Sequence, residues 1–266
     1  MPGVPRATHG DERMMETGRT LAWMEEQIGA RGALYLVLLD PDRFEPAENA
    51  RLAELAIDAG ADALLVGGSL QLSGRCDETV RAIKGAVDVP VIIFPGDVGF
   101  VTREADAVLF LSLVSGRNPH FLIGEHVRAA PMLKEAGLEP MPTAYMLVDG
   151  GATTSVEFMS STRPIPPSKP DIAMAHALAA QYLGMRMAFF DAGSGARNHV
   201  PSELIRRVAA YVELPVTVGG GIRRPTEAAE LVEAGASVII TGDVVEKTGD
   251  AGLLREFAEA VHERHR

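Results

Sequence analysis

Residues 214–243, LPVTVGGGIRRPTEAAELVEAGASVIITGD, decide how the rest of the chain is read. LPVTV is a short apolar run, GGGI a glycine loop, PTEAAELVEAG an amphipathic segment, SVII a second apolar run and TGD a second polar loop. Strands that are apolar on both faces and alternate with helices form parallel sheets covered by helical layers. The same alternation extends towards the N-terminus. Eight runs fit it: Ala33 to Leu39, Ala63 to Gly67, Val89 to Phe94, Ala107 to Leu113, Pro142 to Val148, Met187 to Phe190, Leu214 to Val218 and Ser237 to Ile240. Eight such units in 266 residues predict a single (β/α)8 TIM barrel, a fold that takes about 250 residues.

Apolar residues at three- and four-residue spacing predict helices over Ala50 to Ala59, Glu78 to Val87, Asp171 to Leu183, Ser202 to Tyr211 and Pro225 to Ala234. Gly60, Gly137, Gly184 and Gly235 are placed to close helices. Between Phe94 and Ala107 the chain is short and carries Pro95, Gly96 and Gly99, so the third outer helix is expected to be lost or replaced by an extended segment. That loss would bare an apolar wall suited to a long hydrophobic groove. Asp149 to Pro170, rich in Pro and Gly, is expected to be a lid over the catalytic face. Residues 1–12 are expected to be disordered, Arg13 to Ile28 to form a capping helix, and 13–266 to be one domain.

A net charge of −11 and a single cysteine, Cys76, argue against nucleic acid as a partner and against an internal disulfide. No run reaches the roughly 18 apolar residues of a membrane span, and the N-terminus has no signal-peptide core. A cytoplasmic location is the expectation.

In this fold the chemistry sits on loops that follow the strands. After the first run come Asp40 and Asp42, after the second Gly68 and Ser69, and after the sixth Asp191-Ala192-Gly193-Ser194-Gly195. Carboxylate and hydroxyl oxygens suit a hard cation such as Mg²⁺, although each loop alone could be a tight turn. Asp191, beside Phe189 and Phe190, is a candidate general base whose pKa an apolar wall would raise. Loops after strands seven and eight recurrently hold phosphate, which points to Gly220 and Gly221 and to Gly242 and Asp243. The histidines show no metal-binding spacing and are read as structural or solvated.

Taken in order, LLDPD at 38–42, VGGS at 66–69, SGRNP at 115–119, PIPPSKPDIA at 164–173, FFDAGSGA at 189–196, VGGGIR at 218–223 and TGDVVE at 241–246 resemble one family. It is the geranylgeranylglyceryl phosphate synthases, including the bacterial PcrB-type enzymes. The resemblance covers nearly the whole chain from Ala33 onward and implies a modified barrel that moves a prenyl group from an allylic diphosphate to a three-carbon phosphate. It implies Mg²⁺ on Asp40 and Ser69. It also implies acceptor-phosphate contacts from Phe189, Phe190, Asp191, Ala192, Gly193, Ser194 and Gly195, from Gly220 and Gly221, and from Gly242 and Asp243. A homodimer is a family-level expectation.

Two departures stand out. The family's YLEAGSG is here FFDAGSG, which removes a tyrosine hydroxyl and shortens the base by one methylene, and its TGN or TGT is here Thr241-Gly242-Asp243. These favour an acceptor of different shape: 3-phosphoglycerate, farnesylated as in the moenomycin branch, with Arg223 and Arg224 receiving its carboxylate. The alternative is sn-glycerol 1-phosphate with geranylgeranyl diphosphate. An aldolase-like barrel would need a lysine at a strand end, where none of the four lysines lies. A non-catalytic lipid-binding barrel would have no need of Asp40, Ser69 and the phosphate loops together.

Overall fold

Each of the eight apolar runs forms a strand, and in the computed structural model, which describes residues 18–263, they close into a parallel barrel in the order β1 to β8. The strands are β1 (Leu34–Leu39), β2 (Ala63–Gly67), β3 (Val91–Phe94), β4 (Ala107–Leu113), β5 (Glu139–Leu147), β6 (Met187–Asp191), β7 (Val216–Gly219) and β8 (Val238–Thr241). β3 and β7 begin later than the apolar runs because Pro90 and Pro215 have no N–H to donate. Their carbonyls still accept, from Leu64 and Ala188.

Side chains alternate across the barrel wall. Leu36, Leu65, Leu109, Tyr145 and Phe189 fill the interior, whereas Tyr35, Val66, Val108 and Phe190 face the helical layer. Helix α1 (Arg19–Arg31) closes the bottom of the barrel with Leu21 and Met24. The buried carboxylate of Glu139 accepts from Thr20 N (2.8 Å) and Leu21 N (3.0 Å), satisfying amides that a helix start leaves without partners. The capping helix therefore exists but ends three residues later than expected; its expected first residues and the expected disordered segment lie outside the described residues.

The outer helices are α2 (Pro46–Asp58), α3 (Cys76–Ala86), α4 (Glu125–Ala136), α6 (Pro170–Tyr182), α7 (Ser202–Ala209), α8 (Pro225–Glu233), α9 (Asp243–Thr248) and α10 (Ala251–His262), with a short α5 (Ser155–Ser160) inside the expected lid. Pro46, Pro170 and Pro225 stand at helix starts, where a fixed φ and a missing N–H cost nothing. The expected loss after β3 is observed: only a 3-10 turn, Val98–Phe100, separates β3 from β4. Phe100 is fully buried, so the extended segment is still pinned to the core. Among the described residues no helix is long and apolar enough to cross a membrane.

Candidate active site

One cavity of about 670 Å³ opens at the C-terminal ends of the strands and joins three chemically distinct regions. The first is polar backbone. Ser194, Gly195, Gly220, Gly221 and Gly242 line it, and the amides of Ser194, Gly195, Gly220 and Gly221 donate to no described residue. Gly242 precedes α9, whose first amides have no intrahelical acceptor. At Gly220, φ is +75° and an added Cβ would collide with Asp191 Oδ1 and stand 2.6 Å from Gly193 N. Only glycine lets strands six and seven approach this closely.

Asp191 lies against this region, 8% exposed. Its Oδ1 accepts from Gly193 N (2.8 Å) and its Oδ2 from the Tyr145 hydroxyl (2.5 Å). Burial raises its pKa above the ordinary aspartate value, and the two hydrogen bonds partly oppose that rise. Sequence reasoning missed Tyr145, which burial and the neighbouring carboxylate hold protonated. Its only signal was an inward position on β5, two residues before Leu147. The ring packs edge-on against Phe189 (5.3 Å between centroids) and Phe94 (6.1 Å).

The expected wall of two phenylalanines is corrected. Phe189 faces the cavity, but Phe190 is turned into the helical layer because strand side chains alternate. Ala192 and Gly193 are likewise absent from the cavity lining. Their amides are occupied, Ala192 N donating to Gly219 O (3.1 Å) and Gly193 N to Asp191. The two arginines also divide. Arg223 lines the cavity, yet its guanidinium donates to the Arg197 and Ala196 carbonyls. Arg224 is outside the cavity and pairs with Glu227 at 2.8 Å. Neither guanidinium is left unengaged for an acceptor carboxylate. His199 hydrogen-bonds the Val200 carbonyl, in keeping with a structural role.

The second region surrounds Asp40. Its Oδ1 accepts from Asp42 N (2.9 Å), and its own N–H donates to Glu246 Oε1 (2.9 Å). Partial burial raises its pKa. The β2 loop lies directly against it: a Cβ on Gly68 would sit 3.4 Å from Asp40 Oδ2, and Ser69 lines the same cavity. Asp42 lines the cavity too, but its carboxylate is engaged, accepting from Leu72 N and Ser73 N. No group of three or more His, Cys, Asp or Glu among the described residues could cage a metal. One carboxylate, one hydroxyl and a polyphosphate fit the coordination habits of Mg²⁺. Glu246, also missed in the sequence, is buried to 5% of its side-chain surface and forms an ion pair with Arg43 (2.6 Å). Burial pushes its carboxyl up to about 7.

The third region is apolar. Where the outer helix is missing, Val108 and Phe110 on the outer face of β4 meet Ala129 and Leu133 of α4, with Val98 and Val101 of the extended segment alongside. Val156 and Met159 of α5 complete the upper wall.

Sequence comparison matches residues 22–261 to the PcrB family. The chain belongs to that family. Among PcrB-family relatives, a geranylgeranylglyceryl phosphate synthase of Chitinophaga pinensis is 47% identical over 228 residues, covering 86% of this chain and 90% of that protein. One from Thermococcus gammatolerans is 43% identical, covering 94% and 98% respectively. The crystal structure of (S)-3-O-geranylgeranylglyceryl phosphate synthase from Thermoplasma acidophilum in complex with substrate sn-glycerol-1-phosphate superposes with a TM-score of 0.85 at 37% identity, covering 90% of this chain and 98% of that one. These relatives bear out the expectation of an enzyme of the prenyl-transfer class. They give no support to the farnesyl and 3-phosphoglycerate branch.

Proposed function

We propose that this PcrB-family chain transfers a geranylgeranyl group from its diphosphate to the hydroxyl of sn-glycerol 1-phosphate, the alternative raised from the sequence. The observation that carries this reading is the continuity of one cavity from unoccupied backbone amides, past Asp40 and Ser69, into an apolar groove. Such a cavity matches a small phosphate, a diphosphate and a hydrocarbon tail in that order.

Asp40 and Ser69 would hold Mg²⁺, which supplies charge neutralisation to the departing diphosphate. The amides of Ser194, Gly195, Gly220 and Gly221 hold the acceptor phosphate and so aim its hydroxyl. As the allylic C–O bond breaks, its electron pair leaves with the diphosphate. The acceptor oxygen forms the new C–O bond, and its proton passes to Asp191, whose raised pKa suits it to receive one. Phe94, Phe189 and the groove keep water from the allylic carbon. The engagement of Arg223 and the outward position of Arg224 remove the reason for favouring 3-phosphoglycerate.

Farnesyl and geranylgeranyl diphosphates assayed against both acceptors test the assignment. The expected product forms with sn-glycerol 1-phosphate and is lost in Asp40→Asn. Product with 3-phosphoglycerate alone would overturn the acceptor assignment, and an active Asp40→Asn the metal assignment.

A further inference from the structure

The cavity is short of positive charge for the ligands it is proposed to hold. Seven carboxylates line it, against two guanidinium groups, Arg43 and Arg223. Arg223 is committed to two backbone carbonyls. Arg43 is held differently: Nη1 lies 2.6 Å from Glu246 Oε2 and 3.7 Å from Asp243 Oδ1, while Nε stands 3.6 Å from Asp40 Oδ2, beyond hydrogen-bond reach. The Nε–Nη2 edge donates no hydrogen bond to any described residue, and the side chain keeps 38% of its surface exposed. Two parallel donors on one edge are the geometry with which arginine takes phosphate oxygens bidentately.

We propose that Arg43 binds the diphosphate leaving group through its Nε–Nη2 edge, with buried Glu246 as the residue that positions it. This rests on the prenyl-transfer reading above. Glu246 is itself fixed by the Asp40 N–H, so a single contact set ties the guanidinium to the loop that carries the proposed metal ligand. The free edge is directed to the Asp40 end of the cavity. Asp243, at the phosphate-loop end, lies against Nη1 and is paired more closely with Lys247 (2.6 Å).

The test is calorimetric binding of inorganic pyrophosphate with saturating Mg²⁺, and separately of sn-glycerol 1-phosphate, to the full chain. Arg43→Gln should weaken pyrophosphate about ten- to a hundredfold, the worth of hydrogen bonds between charged groups, and leave glycerol phosphate within about threefold. Because Arg43→Gln also strands the Glu246 charge, the double variant Arg43→Gln/Glu246→Gln is decisive. If Arg43 only neutralises Glu246, the double variant binds pyrophosphate like the wild type and the proposal is overturned. If the guanidinium contacts the diphosphate, binding stays weak. Equal losses for both ligands, or none in Arg43→Gln, would also overturn it. Failure of the wild type to transfer a prenyl group would count against the proposed function, while these binding ratios would still judge Arg43.

Discussion

Replacing Tyr145 by Phe would remove a single hydroxyl while keeping the ring that packs on Phe189 and Phe94. The lost bond is the 2.5 Å contact to Asp191 Oδ2, a hydrogen bond to a carboxylate that is 8% exposed. Such bonds to charged groups are worth about 1.5–3 kcal/mol. The tyrosine holds the Asp191 pKa down against burial, so its removal moves that pKa further up. A base must be ionised to accept a proton, so the acid limb of the kcat/KM profile should move to higher pH. On the acid side the variant should lose about ten- to a hundredfold in rate and should recover as the pH rises. The assay is prenyl transfer across a pH series, with KM for each substrate measured separately. A profile that keeps its position while kcat falls uniformly would refute the pKa argument, and unchanged activity would remove Tyr145 from the site.

Glu246 offers an independent check on electrostatics, because burial lifts its carboxyl from 4.5 to about 7. A carboxyl raised by folding contributes stability below its unfolded pKa and loses it as the pH rises through the folded one. With a chelator present, the wild type should therefore lose on the order of 3 kcal/mol relative to Glu246→Gln across that window, read from denaturant midpoints at each pH; parallel curves would contradict the buried placement. Gly220→Ala puts a methyl onto Asp191 Oδ1 at a φ of +75° and should cost about 1–3 kcal/mol while raising acceptor KM, and a variant as stable and active as the wild type would disprove the close approach. Ala129→Trp fills the groove beside Phe110; at about 0.8 kcal/mol per displaced CH₂, it should turn the preference at least about tenfold towards the shorter donor, and an unchanged product ratio would place the tail elsewhere.

The barrel was legible because its information is local. Apolar runs such as Ala63–Gly67 and Ala107–Leu113 match their strands residue for residue, and the thirteen residues from Phe94 to Asp106 hold too little chain for a crossover helix. Helices α2 and α3 begin earlier than their apolar periodicity suggested, since a proline with its φ already helical at Pro46, and Asp77 and Glu78 against the positive end of the helix dipole after Cys76, favour a start that the apolar period does not mark.

The glycine loops at 193–195, 219–221 and 242, and the carboxylates Asp40 and Asp191, were legible because backbone exposure and strand-end position follow from residue type. Which side of a strand each residue occupies was available in principle from the two-residue period. The reading of Phe189 and Phe190 as one wall ignored it. Tyr145, Glu246 and Arg43 could not be found that way. Tyr145 and Asp191 are 46 residues apart and Asp40 and Glu246 are 206 apart, and no periodicity connects them. The sequence by itself determined where backbone amides and acids could meet a ligand. Only closure of β8 onto β1 brought Glu246 beneath Asp40 and Arg43, and only the inward face of β5 set a hydroxyl against Asp191. Burial and partner, which set the charge state of each group, are properties of the closed barrel.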